Sequence, residues 1–99
     1  MNAYADILAA DMRLVILRAL EEDSAYSLND SVLQAVLAAF GHRVSRDRVA
    51  TELDWLAEQG FVTLEKISTV TVATITRRGA DVACGRVITA GVKRPSPRC

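Results

Sequence analysis

Apolar residues recur at helical spacing near the start of the chain. Leu8, Met12, Val15, Ile16, Ala19 and Leu20 form one stripe and Asp6, Asp11, Arg13 and Arg18 lie off it, which predicts a first helix from about Ala3 to Leu20. Glu21 to Ala25 interrupts the period. Ser27, with Asp30 three residues on, has the form of an N-cap with a capping-box-like carboxylate, so a second helix is expected to run to Phe40 and to bury Val32, Leu33, Val36, Leu37 and Phe40. Gly41 can take the left-handed conformation that ends such a helix, and Ser45 is the next cap candidate. A third helix, Ser45 to about Gln59, puts Val49, Leu53 and Leu56 on one edge and stops at Gly60. Two capped amphipathic helices joined by a short connection make a helix-turn-helix.

Beyond Gly60 the period changes to two. Phe61 to Glu65 and Val70 to Ile75 are rich in β-branched and apolar residues around Lys66-Ile67-Ser68-Thr69, which reads as a hairpin, or wing. Thr76 can cap a fourth helix carrying Ala80, Ala83, Cys84 and Val87, while Gly91 and the Pro95-Ser96-Pro97 segment are expected to lie beyond packed structure. The expected fold is therefore mainly α with a small β-hairpin: a winged helix-turn-helix with a three-helix core, a two-stranded wing and a C-terminal helix. It would occupy residues 1–91, with a flexible basic tail over 92–99.

Composition narrows the function classes. The 99 residues are 51% hydrophobic and 24% charged, enough to bury one core and too few for a second domain. Twelve basic residues balance 12 acidic ones, so the whole-molecule field favours neither nucleic acid nor membrane. The halves differ: six acids face two bases from Met1 to His42, and ten bases face six acids from Arg43 to Cys99, so any polyanion site belongs to the second half. Cys84 and Cys99 form no CxxC or Cys/His ligand pattern, which leads to the expectation of a reduced, cytoplasmic protein. The N-terminal residues lack a basic leader, and no apolar run approaches the roughly 18 residues of a membrane span, so neither export nor a membrane partner is expected.

Leu53 to Val62, followed by a hairpin and Ile75-Thr76-Arg77-Arg78-Gly79, resembles the end of the recognition helix, the wing and the start of the last helix in winged-helix regulators. Ala10 to Arg18, Gly41 to Val49 and Gly91 to Pro95 are similar to a family of small proteins of Mu-like transposable phages and prophages. That resemblance covers nearly the whole chain. It implies a phage origin, the cytoplasm of a bacterial host and an ArsR-like winged helix. Metal-sensing ArsR relatives carry paired cysteines on the recognition helix; Ser45 to Gln59 contains none, so no metal is expected.

The candidate functional residues divide by charge. Arg43, Ser45, Arg46, Arg48 and Thr51 stand where a recognition helix would contact DNA, with Lys66 on the wing and Arg77 and Arg78 beside it for the phosphate backbone. The same arginines also read as ordinary surface charge. Opposite the Val49 edge lie Asp47, Thr51, Asp54 and Glu58, and three carboxylates aimed at a polyanion repel it. Trp55, on the flank, either closes the core or anchors a partner interface together with Asp54 and Glu58, through a homodimer or a phage or host protein. His42, the only histidine, has no nucleophile or orienting carboxylate arranged around it by any motif, and no cofactor fingerprint is present. The expectation is a non-enzyme without cofactors: a double-stranded-DNA-binding phage regulator or, alternatively, a winged-helix protein-interaction module serving assembly, packaging or host takeover.

Overall fold

The computed structural model describes residues 3–96. Its elements are α1 (Ala3–Glu22), β1 (Ser27–Asn29), α2 (Asp30–Ala39), α3 (Arg46–Glu58), β2 (Val62–Ile67), β3 (Val70–Ile75) and α4 (Arg77–Ala83). The architecture is mixed α/β, four helices and a small antiparallel sheet in the order β1-β3-β2. β2 and β3 pair from Val62↔Ile75 to Ile67↔Val70, closing a two-residue turn in which Ser68 takes a φ of 56°.

The third strand corrects the expectation of a two-stranded sheet. Ser27, Leu28 and Asn29 pair with Thr74, Ala73 and Val72, and the Ser27 and Thr74 hydroxyls are hydrogen-bonded to each other. Ser27 is therefore not a cap. Asn29 takes that role, its Oδ1 accepting from the Val32 amide at 2.8 Å, so the chain needs only three extended residues before α2 begins. The expected caps of the later helices are in place: Ser45 Oγ accepts from the Arg48 amide and Thr76 Oγ1 from the Gly79 amide. Thr76 Oγ1 also donates to the Gly60 carbonyl at 2.7 Å, joining the end of α3 to the start of α4.

The core forms around α1, which packs against α2, α3, α4 and β3. Ala9, Leu14 and Leu17 are buried on it beside Met12, Ile16 and Leu20, because a helix enclosed on several sides buries more than one stripe. Leu33 and Leu37 of α2, Val49, Leu53 and Leu56 of α3, and Phe61, Val62 and Ala73 of the sheet complete it. Two expected core residues lie outside: the neighbours of α2, which are α1, α3, β1 and β3, bury Leu33 and Leu37 but leave Val32 and Phe40 exposed.

Packing also continues past the fourth helix. α4 ends at Ala83 and leaves Val87 exposed, but Val92 joins the core and the Lys93 amide donates to the Ala10 carbonyl at 3.1 Å. Pro95, buried, lies beside Gly85. Packed structure therefore extends beyond Gly91, and residues 97–99 of the expected tail lie outside the described residues. Cys84, expected as a reduced thiol, is disulfide-bonded. The chain returns past the end of α4, setting Pro95 against Gly85, the residue after Cys84, a contact that the spacing of the cysteines does not reveal.

Gly79 supplies a close approach that no side chain could share. A Cβ there would lie 2.1 Å from the Phe61 carbonyl oxygen and 2.9 Å from Ile75 Cγ1. Glycine to alanine inside a helix ordinarily stabilises by up to about 1 kcal/mol. At this position the clash reverses the sign: Gly79→Ala should lower the urea midpoint by the equivalent of about 2 kcal/mol, in the range of overpacked cores. An unchanged or raised midpoint would refute the close approach.

Candidate functional site

The inward side of α3 is partly ionic. Glu52 lies beside the Val49-Leu53-Leu56 edge and is only 2% exposed. Its two oxygens take up two arginines, Arg13 Nε from α1 at 2.7 Å and Arg48 Nε from one turn earlier at 2.7 Å. Arg13 also donates through Nη1 to the Gly91 carbonyl at 2.9 Å and stacks its guanidinium 3.9 Å from the centre of the Trp55 ring. Trp55 meets Phe61 edge to face at 6.4 Å, and Gly91 sits against it so closely that a Cβ would come within 2.6 Å. Trp55, proposed from the sequence either to close the core or to anchor an interface, is half-buried and packed against the core, with one face of the indole covered by Arg13 and its edge by Gly91.

Arg46 is likewise drawn toward the protein. Its Nη2 donates to Asp30 Oδ1 at the start of α2 at 2.9 Å and lies 3.5 Å from the Thr69 carbonyl in the wing turn. The start of α3, the start of α2 and the wing turn thus meet at one guanidinium. Of the other expected DNA contacts, Arg43 and Lys66 are exposed at this end of the molecule, Ser45 is occupied as the cap, and exposed Thr51 donates to the Asp47 carbonyl at 3.1 Å. Arg77 and Arg78 are exposed at the other end, Arg78 5.5 Å above the Phe61 ring. The six residues of β3, at roughly 3.3 Å each, set about 20 Å between the wing turn and α4. Along α3 between the two groups, Asp47, Asp54 and Glu58 are exposed, as is Glu65 on β2.

The structure therefore brings Arg43, Arg46 and Lys66 toward one end, separates them from Arg77 and Arg78, and turns Arg48 inward. Sequence reasoning missed Arg13, Glu52 and Asp30 as charged anchors. The i,i+4 spacing of Arg48 and Glu52 was a usable signal. The Arg13–Glu52 pair, 39 residues apart, left none. Among the described residues no group of three or more His, Cys, Asp or Glu could hold a metal ion, and no helix is long and apolar enough to cross a membrane.

The sequence is 56% identical over 93 residues to gp26 of Escherichia phage Mu, an uncharacterized protein, covering 94% of this chain and 96% of gp26. The chain belongs to the Mu gp26 family. An uncharacterized protein of Haemophilus influenzae (strain ATCC 51907 / DSM 11121 / KW20 / Rd) is 42% identical over 77 residues, 77% of this chain and 74% of its own length. No protein-family model matches. The likeness to proteins of Mu-like phages read from the sequence is thereby shown for a nearly full-length relative.

Two carboxylates of this gp26-family chain titrate below their ordinary value of 3.8. Burial raises Asp30, but the hydrogen bond and charge of Arg46, with backbone donors at Thr71 and Ser31, outweigh it. Burial also raises Asp11, and the His42 ring, 2.6 Å away, with the Lys93 ammonium at 3.5 Å, brings it down. A depressed folded-state value contributes stability that is complete above 3.8 and is lost as the pH falls through the lower folded value. Wild-type protein should therefore lose more stability than Asp30→Asn between about pH 5 and about pH 3 in urea titrations. Equal losses would show that the Arg46 pair contributes nothing in acid.

Glu52→Gln leaves Arg13 and Arg48 without their buried counter-charge. Removing one member of a buried ion pair costs about 3 kcal/mol at the lower end, the end expected here because side-chain exposure is 17% for Arg13 and 40% for Arg48. Chemical denaturation should record that loss, together with increased solvent access to Trp55 fluorescence. A near-neutral result would show that the triad does not hold α3.

Proposed function

We propose that this gp26-family chain is a winged-helix protein-interaction module of a Mu-like phage, meeting a partner through the outward face of α3 instead of reading DNA bases with it. The element order α1-β1-α2-α3-β2-β3-α4, with a hairpin after the third helix, is compatible with a winged helix. The charge arrangement of α3 carries the functional reading. Arg46 and Arg48, with 43% and 40% of their side chains exposed, are each bonded to a carboxylate, Asp30 and Glu52, while Asp47, Asp54 and Glu58 are exposed. Carboxylates in a row oppose the approach of phosphate and accept hydrogen bonds from basic or amide groups of a protein. A partner in assembly, packaging or host takeover that offers such donors fits this face.

Duplex DNA is the second reading. It is favoured by the junction of Arg46 with the wing turn, which brings the start of α3, with Arg43 and Ser45 just before it, to the end of the molecule that carries Lys66. In that arrangement contact would be confined to the start of α3 and the wing, with Arg77 and Arg78 serving a more distant phosphate.

Affinity purification from phage-producing cells, with nuclease treatment, separates the two. A stoichiometric protein should survive nuclease and be lost with Asp54→Lys/Glu58→Lys, while Arg43→Ala/Lys66→Ala retains it. The proposal is overturned if nuclease removes every partner and fluorescence anisotropy at about 50 mM salt shows duplex binding that the Arg43/Lys66 variant loses.

A further inference from the structure

Phe40 closes α2 with 68% of its surface exposed. It borders an open groove of about 550 Å³ between α1 and α2, whose apolar walls include Leu14, Val15, Leu28, Val32 and Val36. A second apolar recess, with Ile7, Leu8 and Ala10, shares Asp11 and Lys93 with the first, so the strip continues along α1. Ile7 is 66% exposed. A patch this extended, spanning two helices and open to solvent, suits a macromolecular surface better than a small ligand.

We propose that a second copy of this chain covers the groove, in a two-fold dimer in which Phe40 of each protomer enters the groove of the other. Three observations select this occupant. A two-fold interface must be complementary to itself, and here the protruding ring and the depression lie on one face. The rim carries both signs, Asp11, Glu22 and Asp23 against Arg18 and Lys93, so DNA, a polybasic segment or an acidic membrane would each meet like charges. The chain's zero net charge removes long-range repulsion between copies. No residue of α3 lines the groove, so the dimer leaves that helix's outward face open and does not rest on the function proposed for it.

Sedimentation equilibrium on the purified chain tests this. The mass should rise with concentration from 10.7 kDa toward twice that value. Phe40→Asp and Val32→Lys, both at exposed positions, should remain monomeric with unchanged circular dichroism, while Ile88→Asp, also exposed but away from the groove, should dimerise as the wild type does. A monomer at every concentration would overturn the proposal, as would a dimer indifferent to Phe40→Asp and Val32→Lys, which would place the contact on another surface.

Discussion

A carboxylate taken out of water must be answered by charge, and Glu52 imposes that constraint on the whole molecule. The penalty for burying an ion is several kcal/mol even after relaxation, so Glu52 can face the core only where Arg13 and Arg48 reach it. Arg13 comes from α1 and extends the same bond network to the Gly91 carbonyl and the Trp55 ring. One charged group thus joins α1, α3 and the C-terminal segment. It also fixes the rotation of α3. At 3.6 residues per turn, Asp47, Asp54 and Glu58 lie about 200–240° around the helix from Glu52, so seating Glu52 inward forces those three outward.

That rotation decides how the arginines of the basic half are used. A recognition helix needs guanidinium groups able to leave the protein surface for base edges or phosphates. Arg48 would have to abandon a buried carboxylate, and Arg46 would have to leave a buried Asp30 whose lowered titration already reflects it. The excess of bases read from the sequence is real as a count. Two of those bases, Arg46 and Lys93, are answered by Asp30 and Asp11, partners that only the fold brings near.

The parts of the structure legible in the sequence are those set by local rules. Ser45 and Thr76 cap helices because each has an amide three residues on to accept from, and the change from a helical to a twofold period after Gly60 marks the hairpin. The parts hidden depend on distant residues. Ser27 has the chemistry of a cap, yet pairing with Thr74 across 47 residues draws it into a strand and leaves capping to Asn29. Val92 enters the core only because Lys93 finds the Ala10 carbonyl and Gly91 fits under Trp55. The charged residues at the candidate site were visible, but whether each was spent inward or left outward was not.

The exposed face of α2 follows from the same distinction between local pattern and tertiary supply. Val32, Leu33, Val36, Leu37 and Phe40 give this short helix apolar residues over more of its circumference than its neighbours cover. α1, α3, β1 and β3 pack on α2 and bury Leu33 and Leu37. Sequence reasoning assigns the whole set to the core because it counts apolar positions without asking how many neighbours the fold can bring. With Leu33 and Leu37 already covered, the remaining apolar residues of α2 and those of α1 line a groove that the described part of the chain leaves open.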